Sequence, residues 1–313
     1  MKETINNANF PRDSEGHVYH IHVKRGQVAN RILTVGDHVR ARAISALLDK
    51  IDFEHSSQRG FLTITGRYKG VPVSIMAIGM GNCMMDFFVR ETRAVVEGDI
   101  AIIRFGSCGT LVDKAPVGSV IIPKGGYCIR RNLDYFSAQP LFPELAKTPY
   151  MISGVFPADE PMTQLLESTL KKAFKTYQEE NNQVEEDMNI GPVITGGLNA
   201  DGCSFYSSQG RLDSQFWDDN EHVLEQALQQ HPTTHSLEME TSMLFHLGHC
   251  SKGGSIRTAG CMQVFADRVH NGFIRPELVT ILEPLVGKGV LDALVQVELV
   301  NEMKDTETVW EEK

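Results

Sequence analysis

Short apolar runs alternate with amphipathic segments over nearly the whole chain, and this alternation limits the fold more strongly than any other feature. The runs RILTVG at 31–36 and AIIRFG at 101–106 have the length and apolar content of buried strands, whereas the segments at 37–51 and 83–98 space their apolar residues as helices do. Strands that alternate with helices are typical of an α/β protein with a largely parallel or mixed sheet. Because no Pro-, Ser- or Gly-rich linker interrupts the alternation, the sequence predicts a single domain that spans residues 1–313.

The remaining predicted elements continue the same pattern. They are a hairpin at 61–79, strands at 117–125, 193–200 and 255–267, and helices at 161–177, 241–254 and 276–303. An acidic stretch at 177–189 has few apolar residues and is interpreted as a surface insertion. Residues 1–17 and 304–313 are mostly polar or charged, so we expect both ends of the chain to be flexible.

The charge and the cysteine content argue against several classes of protein. A formal net charge of −10 repels nucleic acid and anionic membrane surfaces, so neither is expected as a partner. The 6 cysteines are scattered without a CxxC pair, which indicates reduced thiols and argues against a structural zinc site. The N-terminal segment lacks the apolar core of a secretory signal, and no apolar run approaches the ~20 residues of a membrane span. These features predict a cytoplasmic protein.

Two predicted strand ends carry glycine and arginine in a pattern that suits an anion. In VGDHVR (35–40), Gly36 lies between a strand and a helix for which Asp37 is the expected N-cap, so backbone N–H groups at the turn can point at an anion, and Arg40 lies one turn into the helix. In IRFGSCG, Arg104 ends a predicted strand and precedes a loop of small residues that includes Ser107. Either segment alone also fits an ordinary turn between a strand and a helix. Together they supply two guanidinium groups, which suits a tetrahedral oxyanion such as phosphate.

A third segment, SLEMETSMLF, places two carboxylates where a predicted strand gives way to a helix. Glu238 and Glu240 flank Met239, and alternating strand geometry puts both carboxylates on one side. Paired carboxylates can act as acid and base in glycoside hydrolysis, and they can equally accept hydrogen bonds from sugar hydroxyl groups. Acidic residues are also favoured at a helix N-terminus for the macrodipole alone, and the spacing leaves these alternatives open.

The fourth segment, FYSSQGRLD, combines aromatic rings with an amide and a guanidinium group. Gln209 carries both donors and acceptors and can therefore pair with the imide or amide edge of a ring, next to Arg211. Phe205 or Tyr206 can pack against the face of the same ring. A surface loop with an aromatic anchor remains the alternative interpretation.

One further group has metal-ligand chemistry. His246, His249 and Cys250 lie at helical spacing, but no third and fourth ligand accompanies them in the sequence. Packing in the core explains them better, and we expect no metal site.

The four segments resemble, in order along the chain, those of the nucleoside phosphorylase superfamily and in particular its uridine phosphorylase branch. The resemblance runs from about His20 to about Arg268 and rests on the glycine–aspartate–arginine turn, the strand that ends in arginine, the Glu-Met-Glu motif and the Gln-x-Arg motif. The Gln-x-Arg motif is the most specific of these, because purine-specific relatives lack it. The resemblance implies a central mixed, twisted sheet, partly barrel-like and flanked by helices.

The resemblance also implies a role for each matching residue. The phosphate-binding residues would be Gly36, Arg40, Arg104 and Ser107, with Arg59 reaching the phosphate of a neighbouring subunit. The ribose-binding residues would be Glu238, Met239, Glu240 and His20, which would cross the same interface, with His22 as the competing candidate. The uracil-binding residues would be Phe205, Gln209, Arg211 and Arg268. The catalytic residues among them would be Arg104, Gln209 and Arg211.

The implied reaction is the reversible phosphorolysis of uridine to uracil and ribose 1-phosphate, a pentosyl transfer with inorganic phosphate as co-substrate and no metal or organic cofactor. Gly60 stands where bacterial relatives have a glutamate that binds a monovalent cation, so no potassium site is expected. Asp267 lies at or beside the position of a proton-donating aspartate in purine enzymes. A purine nucleoside phosphorylase, a nucleosidase and a non-catalytic nucleoside-binding protein are the alternatives.

A homodimer is the minimal unit if Arg59 and His20 cross an interface, and a hexamer remains possible by symmetry. The sequence leaves open whether deoxyuridine or thymidine is also accepted.

Overall fold

The computed structural model describes residue 5 and residues 7–181 and 190–311. Its strands are β1 (Arg31–Val35), β2 (Lys50–Ser56), β3 (Leu62–Tyr68), β4 (Val71–Ala77), β5 (Ile100–Thr110), β6 (Val120–Ile122), β7 (Gly125–Arg131), β8 (Tyr150–Ile152), β9 (Phe156–Pro157), β10 (Val193–Thr195), β11 (Leu198–Gly202), β12 (Thr234–Glu238), β13 (Ile256–Asp267) and β14 (Gly272–Phe273). Its helices are α1 (His38–Ser45), α2 (Asn82–Val95), α3 (Glu160–Glu180), α4 (Val223–Gln230), α5 (Thr241–Cys250) and α6 (Pro276–Leu294).

The strands form one mixed sheet, as the alternation predicts. Its main path runs β2-β3-β4-β1-β5-β12-β11-β7-β8, and β13 pairs with β5, β6 and β14. The strand β1 is parallel to both β4 and β5, whereas β2, β3 and β4 are antiparallel neighbours. Within the described residues the two ends of the path, β2 and β8, do not pair, so the sheet is not closed into a barrel.

Two helical layers cover the sheet because its central strands are apolar on both faces. In β1, Leu33 and Val35 pack with α1, α3 and α6, whereas Ile32 packs with α2 and α5. In β5, Ile103 lies in the first of these cores and Ile102 in the second. This period of two is the expected consequence of side chains that alternate across a strand.

The strand β5 is longer than predicted. The sequence places a strand end at Arg104 and a loop of small residues after it, but β5 continues to Thr110 and pairs along its whole length with β13. Gly106 is needed here because a Cβ atom at this position would lie 3.2 Å from the Arg104 guanidinium group. The small residues therefore let the strand pass close to a large side chain.

Three element boundaries also differ from the prediction. The helix predicted at 37–51 ends at Ser45, and the chain then forms the unpredicted strand β2. The helix predicted to reach residue 303 ends at Leu294. The insertion predicted at 177–189 begins inside α3, and residues 182–189 lie outside the described part of the chain.

The described part of the C-terminal tail is packed, although the sequence predicts flexibility for 304–313. Trp310 is buried against Ala29, and the backbone N–H of Val309 donates to the carbonyl oxygen of Gly26 at 2.9 Å. Near the other end, Arg12 pairs with Val18 in an isolated bridge and donates to the carbonyl oxygen of Ala94 at 2.9 Å. The two ends of the described chain are thus held in place, although many of their residues are polar or charged. Burial of one tryptophan side chain and a few backbone hydrogen bonds provide the stabilisation.

All six cysteines are unpaired. Among the described helices, none combines the length and the apolar character that a bilayer crossing requires.

Candidate active site

A cavity of about 340 Å³ lies where several strands of the sheet end. The turn from β1 to α1, the turn from β4 to α2, the second half of β5, the segment 205–211, the turn from β12 to α5 and the end of β13 all contribute to its wall. In open sheets, ligand sites form at the carboxyl ends of strands, where the loops converge. The cavity lies at this expected place.

The buried guanidinium group of Arg104 forms the centre of the cavity wall. Its Nη2 donates to Glu240 Oε2, and its Nε lies 3.4 Å from Glu238 Oε2. The Nη1 atom is buried and has no hydrogen-bond partner among the described residues. Burial lowers the pKa of Arg104, but Glu240 and Glu238 more than offset this, so the net shift is upward and the group stays charged. A buried charged donor without a hydrogen-bond partner destabilises the folded state, which indicates that a bound ligand accepts a hydrogen bond from Nη1.

The carboxylate of Glu238 is held by donors from three directions. Asn199 Nδ2 donates to Oε1 at 2.6 Å, and the backbone N–H of Thr241 donates to the same atom at 3.0 Å. The backbone N–H of Glu240 donates to Oε2 at 3.1 Å. The Glu238 carboxylate thus accepts hydrogen bonds from otherwise free N–H groups at the start of α5, and it positions the neighbouring Arg104 and Glu240 side chains.

Glu240 lies in the cavity wall and links it to the start of α2. The backbone N–H of Gly81 donates to its Oε1 at 2.5 Å. Burial raises the pKa of Glu240 and Arg104 opposes this, while Glu238 adds to the rise, so that the pKa is about 7. Gly81 has a φ of 96°, a conformation that L side chains rarely adopt, and the turn therefore depends on glycine.

Asp201 lies behind this group and is wholly buried. Its Oδ2 accepts from the backbone N–H and the hydroxyl group of Ser242, at 3.0 and 2.7 Å. Its Oδ1 has no partner within the described chain. Burial, and then the nearby Glu238, raise the pKa of Asp201 well above its ordinary value, because both disfavour its charged form.

Arg40 brings a second guanidinium group to the cavity. Helix α1 begins after Asp37, whose side chain accepts from the backbone N–H of Arg40 at 2.8 Å, as the sequence predicts. The Arg40 Nε donates to Glu283 Oε1 of α6 at 2.9 Å, and its guanidinium carbon lies 5.0 Å from the centroid of the Phe105 ring. These contacts hold a positive charge at the N-terminal end of α1, where an anion is favoured.

The opposite wall of the cavity is aromatic and amide-rich. Arg211 lies 3.9 Å from the centroid of the Phe205 ring and donates to Gln209 Oε1. Gln209 is buried, and Arg268 Nη2 donates to its backbone oxygen at 3.1 Å. Burial and then the charge of Arg268 lower the pKa of Arg211 to about 10. The guanidinium groups of Arg211 and Arg268 repel each other. A ligand that carries or gains negative charge is therefore favoured beside them.

Phe265 enters the cavity wall from an irregularity in β13. Its neighbours Val264 and Ala266 pair with the consecutive residues Cys108 and Gly109, so Phe265 is an extra residue in the ladder. Such bulges redirect a side chain, and Phe265 indeed lines the cavity. The sequence shows only a regular strand at this position.

His20 and Arg59, two of the predicted site residues, lie away from the cavity, and Arg268 does not line it. His20 Nδ1 lies 2.6 Å from Glu91 Oε1, and its ring stacks on Phe87 at 3.9 Å between centroids. Arg59 is exposed and donates to the hydroxyl group of Tyr19 at 2.5 Å. The two residues therefore share one surface region through Tyr19, apart from the cavity of their own chain.

The cavity brings together most of the residues that the sequence predicts. Its wall contains Gly36, Arg40, Arg104, Ser107, Phe205, Gln209, Arg211, Glu238, Met239 and Glu240. Arg268 is adjacent through its bond to Gln209. Asp267 does not line the cavity, because its carboxylate accepts from the backbone N–H groups of Val269 and His270.

Sequence analysis does not find several residues that complete the site. These are Asn199, Asp201, Glu283, Phe265 and Phe273. A polar pair in the otherwise apolar run of β11 is the one sequence signal that points to Asn199 and Asp201.

The group at His246 differs from the prediction. His249 and Cys250 are exposed on α5 and do not pack in the core. Cys250 Sγ lies 3.7 Å from His246 Nδ1, because the two residues are one helical turn apart.

Comparison with known proteins agrees with this arrangement. A family model described as "Phosphorylase superfamily" matches residues 30–272. A uridine phosphorylase of Thermococcus kodakarensis is 31% identical over 276 residues, which cover 87% of this chain and 86% of the relative. A purine nucleoside phosphorylase of Buchnera aphidicola is 36% identical over 107 residues, or 34% of this chain and 44% of the relative.

Solved structures give the same fold. A structure from a study of two uridine phosphorylases of the oomycete Phytophthora capsici has a TM-score of 0.88 and 39% identity, and covers 95% of this chain and 100% of its own. A nucleoside phosphorylase of Trypanosoma brucei has a TM-score of 0.71 at 21% identity, with coverage of 92% and 100%. Because the family model spans residues 30–272 and the relative from Thermococcus kodakarensis aligns over 87% of the chain, this chain belongs to the phosphorylase superfamily.

Proposed function

We propose that the protein catalyses the reversible phosphorolysis of uridine to uracil and ribose 1-phosphate. The observation that carries the proposal is the unpartnered Nη1 of Arg104, a buried charged donor beside a cavity that also holds Arg40, the Glu240 carboxylate and the Gln209 amide. The relatives at 31% and 39% identity, which align over 87% and 95% of the chain, are described as uridine phosphorylases, whereas the purine enzyme of Buchnera aphidicola aligns with 34% of it.

Inorganic phosphate is the proposed anion at the arginines. Arg40 and Arg104 supply charge, and the turn at Gly36 with the hydroxyl group of Ser107 supplies neutral donors. The arginines are already held by carboxylates and by packing, so phosphate binds to donors that need little rearrangement. Fixing phosphate under C1′ of the ribose provides proximity and orientation for the attack.

The ribose is proposed to lie against the Glu-Met-Glu motif. A carboxylate such as Glu240 accepts hydrogen bonds from two neighbouring hydroxyl groups, and the Met239 side chain packs on the sugar. Glu238 supports this arrangement through its bonds to Asn199 and to the start of α5. The contacts hold the sugar while its C1′ gains positive character in the transition state.

The base is proposed to bind at Phe205, Gln209 and Arg211, with Arg268 beside them. Gln209 matches the donor and acceptor edge of uracil, and the Phe205 ring offers a face for stacking. As the glycosidic bond breaks, negative charge develops on the base, and Arg211 and Arg268 stabilise it. The C1′–N1 bond electrons leave with the base, a phosphate oxygen forms the new bond to C1′, and the uracil anion then takes a proton from solvent. We therefore propose no dedicated general acid, and no metal or organic cofactor.

A homodimer is proposed as the active unit. His20 and Arg59 are joined through Tyr19 on one surface and do not line their own cavity, as expected of residues that complete the site of a second copy. We also propose a cytoplasmic location, because six unpaired cysteines are typical of a reducing compartment.

A spectrophotometric uridine assay with and without phosphate tests the proposed reaction. Loss of uridine that requires phosphate and yields ribose 1-phosphate is the expected result. Uracil release in phosphate-free buffer contradicts phosphorolysis and indicates a nucleosidase. Faster turnover of inosine than of uridine contradicts the pyrimidine specificity, and an absence of turnover with either nucleoside contradicts the enzyme itself.

A further inference from the structure

Three donor side chains meet on the N-terminal segment, at a place that the proposed reaction does not use. Asp13 Oδ2 lies 2.8 Å from His17 Nδ1 and 3.6 Å from His22 Nε2. One ligand atom from each of the three residues falls within 4.8 Å of the others. The 2.8 Å contact between His17 and Asp13 is a hydrogen bond, so a metal ion at this place replaces that bond and draws on all three donors.

The carboxylate of Asp13 is oriented by its own backbone. Its Oδ1 accepts from the N–H groups of Glu15 and His17, at 2.9 and 2.8 Å, so Oδ2 is directed to the two imidazole rings. The Asp13 side chain is 7% exposed, and that of His17 is 13% exposed. All three residues are part-buried, and the Asp13 carboxylate is held in place by its backbone partners, unlike that of an ordinary surface ion pair.

His22 is held in an unusual conformation. Its φ is 53°, in the left-handed region that non-glycine residues rarely adopt and that costs backbone energy. This conformation stacks its ring on that of His17, with 4.8 Å between centroids. The backbone thus places two imidazole rings beside one carboxylate.

His55 of β2 supports His22 from the other side. His22 Nδ1 lies 3.1 Å from His55 Nε2, so one of these nitrogens donates to the other. A proton on His22 Nδ1 leaves the lone pair of Nε2 on the side of Asp13. Metal-bound histidines commonly have their second ring nitrogen fixed by such an outer partner.

We propose that Asp13, His17 and His22 bind one Zn²⁺ ion, with water as the fourth ligand. Two imidazole nitrogens and one carboxylate oxygen are typical zinc donors, whereas Mg²⁺ and Ca²⁺ prefer oxygen alone. The ion balances the Asp13 charge between two neutral rings. It joins both ends of the segment 13–22, which carries Tyr19 and His20, and so fastens that segment.

Zinc titration of the whole, untagged protein tests the site, because a polyhistidine tag would bind zinc itself. The protein is treated with chelator, dialysed and titrated with Zn²⁺ by calorimetry, and with Co²⁺ followed by its visible absorption. One equivalent of Zn²⁺ per chain and a tetrahedral Co²⁺ spectrum are the expected results. The readouts do not depend on turnover of any nucleoside, so they stand apart from the proposed reaction.

Variants locate the bound ion. Asp13→Asn and His22→Ala are expected to lose the one equivalent of bound Zn²⁺. The exposed control variant His222→Ala is expected to keep it. His55→Ala retains all three ligands and is expected to keep the stoichiometry while the affinity falls about 10–100-fold. Circular dichroism of each metal-free variant checks folding, and His55→Ala decides the question if His22→Ala does not fold.

Three results overturn the proposal. The first is an absence of saturable Zn²⁺ binding. The second is a Zn²⁺ affinity that is unchanged both in folded His22→Ala and in His55→Ala. The third is a loss of Zn²⁺ binding in His246→Ala, which would place the ion at His246 and Cys250 instead.

Discussion

The two walls of the cavity differ in how firmly they are held. On the anion wall, defined by Arg40, Arg104, Glu238 and Glu240, every side chain is buried and fixed by charged or backbone partners. On the base wall, defined by Phe205, Gln209, Arg211 and Arg268, Gln209 alone is buried, and Phe205 is 47% exposed. The anion wall is therefore suited to one chemical step with a fixed geometry. The base wall is suited to selecting among nucleosides that all react by this step.

Arg104→Ala is expected to give the largest effect. It deletes the donor proposed to hold the anion and is expected to lower kcat/KM for uridine at least about 100-fold. It also leaves two buried carboxylates without their counter-charge, which is expected to cost about 3–5 kcal/mol of folding stability. Ser107→Ala removes one neutral hydrogen bond on the same wall and is expected to cost about 1 kcal/mol. Steady-state kinetics of both variants provide the measurement. Equal, small effects would contradict the position given to the anion.

Gln209→Ala is expected to come second and to act on selectivity. Loss of the amide removes recognition of the uracil edge and is expected to lower kcat/KM for uridine about 10–100-fold, and to change any turnover of inosine little. The exposed neighbour Leu212 supplies the control Leu212→Ala, with no expected change in either rate. The ratio of the two rates is measured for each variant. A parallel loss for both nucleosides would show that Gln209 acts on the common step.

Uridine binding is expected to depend on pH through Glu240. Burial raises the pKa of this carboxyl group to about 7, so the hydrogen-accepting carboxylate is lost as the pH falls through that value. The dissociation constant of uridine, measured without phosphate so that phosphate does not titrate, should rise about tenfold from pH 8 to pH 6. Glu240→Gln should bind more weakly with no such dependence. A dependence of equal size in that variant would assign the titration to another group.

Asp201→Asn is expected to act on stability rather than on turnover. Because the folded pKa is raised, the native state holds a proton that the unfolded state releases above the ordinary Asp pKa. This group therefore lowers wild-type stability as the pH rises toward its folded pKa, by up to about 1.4 kcal/mol per pH unit. Urea unfolding at pH 5, 6 and 7 should show a gain in the variant that grows with pH. The exposed Asp113→Asn serves as control and should show no such trend.

Sequence patterns predict the parts of this molecule that depend on local chemistry. The α/β class, the capping of α1 by Asp37 and the hairpin of β3 and β4 all follow from neighbouring residues. The four segments that carry the site are also contiguous in sequence, so each can be recognised from its own few residues.

Other features depend on residues that are distant in the chain. Asn199 supports Glu238 across 39 positions, and Glu283 supports Arg40 across 243. The extent of β5 depends on pairing with β13, which lies about 150 positions further along the chain. A single sequence contains no signal for these registers, which explains why it does not predict β2, the end of β5 or the bulge at Phe265.

The continuation of β5 beyond Arg104 has a consequence for how such a protein diversifies. The backbone at Arg104 is paired with β1 on one side and with β13 on the other, so it cannot shift without breaking the sheet. Residues 203–212 and 268–271 lie outside the strands, so substitutions and length changes there leave these pairings in place. A lineage with this scaffold can therefore acquire new nucleobase preferences while it inherits the pentosyl-transfer step intact.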